Sequence, residues 1–294
     1  MPNGSGRSKW KTSGPGKLAR ALWSAAYALA MGEGVHLAGH MAFTALLAIF
    51  PFLIFLAALA GVLGDADTAN DFIDFMFRFM PDDVAKTLTR PVLEVLTTRS
   101  RGLLTFGILG TLWVASSGIE ALRLGLNQAY GVPEARPLWY LRLQSIAFVI
   151  LGSLAIFLLS LSIILGPIIW EFLTSIAHLT VGERVLWDIV RYLFSVGVLI
   201  VAVLILHRWL PNARQRWRDM LPGAIATTVI WVSAGSIFSL YLGNLGNYSI
   251  TYGSLGGVII TLTFFYISAL IFLFGAEFNV AFRRVFRSGR TEKS

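Results

Sequence analysis

Residues 220–276, MLPGAIATTVIWVSAGSIFSLYLGNLGNYSITYGSLGGVIITLTFFYISALIFLFGA, run for 57 positions without one Asp, Glu, Lys or Arg. A membrane-spanning helix needs about 20 predominantly apolar residues. The stretch is therefore long enough for two helices, and Leu242-Gly243-Asn244-Leu245-Gly246-Asn247-Tyr248 supplies the break between them. Outward from this run, residues 34–64, 102–119, 143–170 and 192–207 are also free of all four charged types. The pattern predicts six spans, at 38–63, 103–122, 143–169, 188–209, 221–242 and 256–280. The fourth is the weakest, because Arg191 lies inside it and has to snorkel outward.

The expected fold class is therefore all-α: a polytopic membrane protein with six transmembrane helices. Composition agrees. The chain has 294 residues, of which 56% are apolar and 14% charged, against about 25% charged in ordinary soluble domains, and its mean hydropathy is +0.70. The formal charge of +8 would suggest nucleic acid if the bases clustered on a soluble domain, but here they punctuate apolar runs. With no Cys, disulfides and thiolate chemistry are excluded.

Lys and Arg in the flanks orient the path. Lys17 and Arg20 precede the first span, Arg123, Arg136 and Arg142 follow the second, Arg208, Arg214, Arg216 and Arg218 follow the fourth, and Arg283, Arg284, Arg287 and Arg290 follow the sixth. All fall on one side, which places both termini in the cytoplasm. Residues 1–16 read as a disordered basic tail, 17–282 as one membrane domain and 283–294 as a basic cytoplasmic tail. Leu18, Leu22, Ala25 and Leu29 form a helical stripe suited to a helix lying in the interface. Cleavage as a signal peptide after Ala28-Leu29-Ala30 is the rival reading, and it would invert every basic loop. In the outer loop, 64–102, Phe72, Phe75, Met76, Phe79 and Met80 and then Val84, Leu88, Val92 and Val95 predict two amphipathic helices around Pro81.

Charged or strongly polar groups within or at the edge of a span cost enough to be functional candidates by default. Glu120, Arg123 and Asn127 share a helical face at the cytoplasmic end of the second span, and Glu277 and Asn279 end the sixth. Glu120 and Arg123 suit an i, i+3 ion pair with Arg123 snorkelling, or alternatively a face turned to a cavity. Glu33, His36 and His40 share a face at the start of the first span. Their spacing suits a metal, but ligation needs donors from elsewhere and the zincin pattern His-Glu-x-x-His is missing. An interfacial polar lip is the expected reading, with a proton-linked role for His40 as its alternative. No metal and no cofactor is expected. Pro51, Gly253, Ser254, Gly256 and Gly257 are packing or hinge positions, and Ala234, Gly235 and Ser239 let the fifth helix approach a neighbour.

Three blocks carry a family resemblance: AGHMAFTALLAIFPFLIF at 38–55, SSGIEALRLGLNQAYGV at 116–132, and the stretch 221–282, with YGSLGGVI through LFGAEFN at 252–279 the most specific. The chain resembles the YihY/virulence factor BrkB family of bacterial inner-membrane proteins. That resemblance implies six spans with both termini inside. It implies little chemistry: members once carried the label ribonuclease BN, now regarded as mistaken, and transport of envelope or lipid material and virulence have been suggested. Asn127 matches the family's Leu-Asn block and Glu277 its Gly-Ala-Glu. His36 and His40 depart from it, since apolar or aromatic residues are usual there.

The expected function is a carrier or flippase for a lipid or other anionic envelope amphiphile, energised by a gradient or by the substrate, since no Walker A motif is present. A non-catalytic scaffold for envelope assembly is the alternative, and a ribonuclease the weaker third. Anionic membrane lipid is the expected partner, no specific nucleic acid is, and a homo-oligomer stays open.

Overall fold

A computed structural model of the chain describes residues 14–63, 101–176, 181–213, 215–243 and 255–291. Within them the backbone forms seven helices and no strand: α1 (Gly14–Met31), α2 (Gly34–Leu63), α3 (Arg101–Tyr130), α4 (Leu138–Ile176), α5 (Val181–Trp209), α6 (Trp217–Gly243) and α7 (Leu255–Thr291). In hydrocarbon, a helix is the one open-ended element that satisfies its own backbone groups. Leu138–Phe157, Arg184–Trp209, Trp217–Tyr241 and Gly256–Phe286 are each long and apolar enough to cross a membrane, and Gly34–Ile49 adds a shorter apolar segment within the 30 residues of α2. The protein is an all-α polytopic membrane protein. Its helices overrun the predicted spans because a helix continues past the slab that selects its apolar residues: α3 runs to Tyr130, and α7 carries on through the basic segment to Thr291. Arg191 does not weaken the fourth span as expected, since its Nη2 lies 3.3 Å from Asp188 Oδ1 one turn away.

Around the bundle, α2 packs on α3, α3 on α4, α4 on α5, α5 on α6, α6 on α7, and α7 returns to α2, so the six long helices close a ring. The tightest contacts are made by small residues. Ala48 of α2 faces Gly118 of α3, and a Cβ on Gly125 would sit 2.9 Å from both Met41 Sδ and Leu273 Cδ2. Lipid tails are as apolar as the helices they surround, so close backbone approach, rather than hydrophobic exclusion, holds such seams. Of the small residues predicted to pack in the fifth span, Gly235 has nothing within 4 Å of a Cβ, whereas Gly223 of α6 abuts the Gly275 carbonyl and Asn279 of α7. Gly256 and Gly257 are buried at the start of α7, Pro51 sits within an unbroken α2, and Gly253 and Ser254 fall outside the described residues, as do the two outer-loop helices predicted in 64–102.

The helix α1 exists as expected and also packs on α7. Its buried residues are Ala21 and Ala25, packed on Phe278, Ala281, Phe282 and Val285 of α7, while Leu18 and Leu22 of the expected stripe stay 43% and 38% exposed. Small residues were the ones able to meet α7 closely, which leaves Leu18, Leu22, Trp23 and Tyr27 for lipid or interface. The start of α1, the end of α7 and the α3–α4 and α5–α6 turns thus share one end of the ring. Exposed Trp139, Tyr140, Trp209 and Trp217 mark that end as an aromatic belt. Along α5, Trp187 stands about 33 Å from Trp209 at about 1.5 Å per residue, close to the roughly 30 Å hydrocarbon core.

Candidate functional site

The α3–α4 turn is fixed by its own backbone. Gly131, at φ 64°, ends α3 in the left-handed conformation, with Val132 N donating to Asn127 O (2.9 Å) and Gly131 N to Gln128 O (3.0 Å). This is the Schellman pattern, and glycine suits its left-handed position. The turn presents Glu134, whose two oxygens accept four hydrogen bonds: from Arg136 N (3.1 Å), Arg136 Nε (2.8 Å), Arg136 Nη2 (2.7 Å) and Asn127 Nδ2 (2.9 Å). The Arg136 guanidinium, helped by Asn127, holds the Glu134 carboxyl down at about 2, and Glu134 in turn raises Arg136.

The same group latches the neighbouring turn. Arg136 Nη2 also donates to Leu210 O (2.9 Å), Asn212 N donates to Asn127 Oδ1 (2.8 Å), Asn212 Nδ2 to Pro133 O (2.9 Å) and Gln144 Nε2 to Trp209 O (2.6 Å). Arg123 is buried beside this latch, its Nε 4.0 Å from Glu134 Oε2, while its Nη1 donates to Leu141 O and Ser145 Oγ, both at 3.0 Å. The expected Glu120–Arg123 pair is therefore corrected. Glu120 pairs with Arg142 of α4, which also donates to Trp113 O (2.8 Å) and stacks 3.7 Å from the Trp113 ring. Burial of Arg123 between α3 and α4 puts it nearer the start of α4 than its own helical neighbour.

A second polar cluster lies between α3, α5, α6 and α7. Asn279 Oδ1 accepts from Gly223 N (2.7 Å), and its Nδ2 reaches Tyr130 OH (3.3 Å) and His207 Nδ1 (3.3 Å). With the amide donating and the ring nitrogen accepting, the His207 hydrogen belongs on Nε2. His207 is wholly buried, its ring 4.8 Å from that of Phe272.

Immediately inward of these clusters lies an open-sided chamber of about 530 Å³ lined from all six helices, including Met41, Ile119, Phe148, Val203, Thr227 and Phe272. None of its lining residues is charged. Leu126, Leu210 and Leu273, at most 1% exposed, fill the bundle toward the turn end. Of the sequence candidates, Arg123 and Asn127 join the Glu134 latch and Asn279 joins His207. Glu120 stands apart with Arg142. Glu277 is half-buried in a separate cleft of about 80 Å³ shared with Glu33 and Gln128, and His36 and His40 are exposed. Among the described residues no three His, Cys, Asp or Glu side chains come together as a metal site. Sequence reading missed Glu134, Tyr130, Asn212 and the Gly223–Gly275 contact. Glu134 carried a signal, being the single acid between Arg123 and Arg142 in an otherwise basic turn.

A bundle of long apolar helices around an uncharged chamber defines a polytopic membrane protein. Residues 25–294 match the family model described as Virulence factor BrkB, and the chain belongs to that family. It is 32% identical over 251 residues to the "Putative ribonuclease-like protein YfkH" of Bacillus subtilis (strain 168), covering 84% of this chain and 89% of that one. It is 27% identical over 260 residues to the "UPF0761 membrane protein MADE_1017605/MADE_1018330" of Alteromonas mediterranea, covering 87% and 85%. A "UPF0761 membrane protein" of Tolumonas auensis is 29% identical over 249 residues, covering 83% and 78%. No solved structure matches the chain.

Proposed function

We propose that the protein is a non-catalytic carrier or flippase for a lipid or anionic envelope amphiphile of the bacterial inner membrane, with both termini cytoplasmic. The observation that carries this reading is the chamber: about 530 Å³ inside a membrane bundle, within the roughly 300–1,000 Å³ usual for small-molecule sites. The orientation rests on the basic residues at the turn end, Lys17, Arg136, Arg216 and Arg218 among them. Those outside the latch supply the attraction for anionic lipid.

The test is transbilayer movement of labelled anionic phospholipid in proteoliposomes, comparing the wild type with Glu120→Gln and Arg123→Ala at equal incorporation. Movement by the wild type, reduced in the variants, is the expected result. No movement by folded wild-type protein overturns the reading for that substrate.

One observation favours the scaffold reading. Arg123, Asn127 and Asn279 all spend their polar atoms on neighbouring helices and turns, as parts of a rigid mount would. Under it, changes to Glu120 leave function intact and deletion within 64–102 destroys it. Phosphodiester cleavage, suggested by the wording attached to YfkH, calls for free carboxylates gathered around metal ions, whereas Glu120 and Glu134 are each occupied by an arginine. Robust turnover of RNA by pure, metal-replete protein overturns that judgement.

A further inference from the structure

We propose that the chamber is a binding site for one hydrocarbon chain of a membrane lipid, admitted sideways between α4 and α5, with the headgroup left outside the ring. This deepens the carrier reading and uses the same chamber, but it asks for occupancy rather than movement.

The lining decides the occupant. A buried water needs two to four polar partners, and the chamber offers almost none. Thr228 Oγ1 donates to Ala224 O (2.9 Å) in its own helix, and Trp231 Nε1 donates to Ser268 Oγ (3.0 Å). Thr227 Oγ1, turned onto Gly275, is the one buried hydroxyl among the described lining residues without a hydrogen-bond partner, too little to hold a water with its two to four bonds. Water is therefore poorly held. An empty space of this size forfeits the dispersion contacts of its whole wall. Hydrocarbon restores those contacts, and the bilayer presents it to every outer face of the ring. A phosphate inside, by contrast, would meet no charged lining residue.

The wall decides the route. Toward the turn end the bundle is filled by Leu126, Leu210 and Leu273 and closed by the hydrogen-bonded turns below. Among the described residues, α4 and α5 pack least of all neighbouring pairs in the ring. Gly152 of α4 lines the chamber with nothing within 4 Å of the position its Cβ would occupy. Outside the seam, Leu193, Phe194 and Val201 of α5 are more than half exposed, so the seam opens onto hydrocarbon.

The test uses full-length protein in nanodiscs of phosphatidylcholine doped with either of two photoreactive phosphatidylcholines, one with a diazirine near the end of an acyl chain, the other with it on the headgroup. Labelled residues are mapped by peptide mass spectrometry. The tail probe is expected to mark Val149, Leu199 and Val203, and the headgroup probe to leave them unmarked. Gly152→Trp at the seam and Ala202→Trp inside are each expected to lose the inner marks while keeping those on Leu193 and Phe194. Thermal unfolding identifies a variant that has not folded, and the wild-type map stands without it. Tail labelling confined to the outer faces, or inner labelling by both probes alike, overturns the proposal. The two readings also fail separately. Lipid movement without inner tail labelling removes the chain site and keeps the carrier, and inner tail labelling without movement removes the carrier and keeps the site.

Discussion

Around the α3–α4 turn, one carboxylate accepts four hydrogen bonds and ties two turns together, whereas further into the ring the same helices face a chamber without a charge, and α6 and α7 cross through Gly223, Gly275 and Thr227. At the turn end each contact names its partner: Asn212 reads Asn127, and Arg136 reads both Glu134 and Leu210 O. At the α6–α7 crossing the specification is steric, because Gly223 and Gly275 admit no side chain. Directional bonds fix register where water can compete, and close backbone approach fixes it where the surrounding lipid offers no alternative polar partner. A bundle pinned at one end and shaped by small residues inside can hold a cavity without collapsing onto it.

The difference can be broken first from the steric side. Gly223→Val drives a branched side chain into Gly275 O and Asn279 and is expected to be the most damaging change, costing about 3 kcal/mol or more. It should appear as a large fall in melting temperature of the detergent-solubilised protein, or as failure to assemble. Glu134→Ala comes next. It strips the acceptor from Arg136 and Asn127 and is expected to cost about 1–3 kcal/mol, with the loss of exchange protection concentrated at the α3–α4 and α5–α6 turns. Global loosening of α6 and α7 in that variant would erase the distinction between the two ends.

Acid sharpens the same point. The Glu134 carboxyl is held at about 2 against an ordinary 4.5, so its contribution is complete above about 4.5 and is lost as pH falls towards 2. Protection of the Arg136 amide, which donates to Glu134 Oε1, is expected to decline across that window in the wild type. In Glu134→Gln no such pH-dependent step should occur. Asn279→Leu, which leaves the Gly223 N–H without its side-chain acceptor, is expected to cost about 1–2 kcal/mol, read as a smaller shift in melting temperature. His40→Ala is expected to stay within about 0.5 kcal/mol, the usual range for an exposed position, and to leave lipid movement unchanged. A clear loss there would restore the proton-linked role weighed for His40.

Much of the polar end was legible residue by residue but not pair by pair. Arg123, Asn127 and Asn279 stood out because charge and amide are costly at the edge of a span. Their partners did not, since Leu141 O, Ser145, Asn212 and Gly223 N lie far along the chain and nothing local points to them. What α1 packs on was hidden for a related reason. A stripe of leucines pointed to the interface, and nothing local said that Ala21 and Ala25 were small enough to meet α7. In the same way Gly235 looked like a packing residue, and Gly223, one step past Pro222, was the one that packed.

The sequence by itself determined that the chain is a helical membrane protein, roughly where its spans lie and that the basic flanks share one end. Each of these follows from quantities added up along the chain: the length of an uncharged run against the thickness of hydrocarbon, and the cost of placing Lys or Arg within it. Tertiary structure alone decided that six helices close into a ring, that they line an open-sided chamber, and that Glu120 belongs to Arg142 and Arg123 to the start of α4. A run of apolar residues reads alike all round the helix, so its rotation is settled only when a neighbour's small residues and hydrogen-bonding groups select one face.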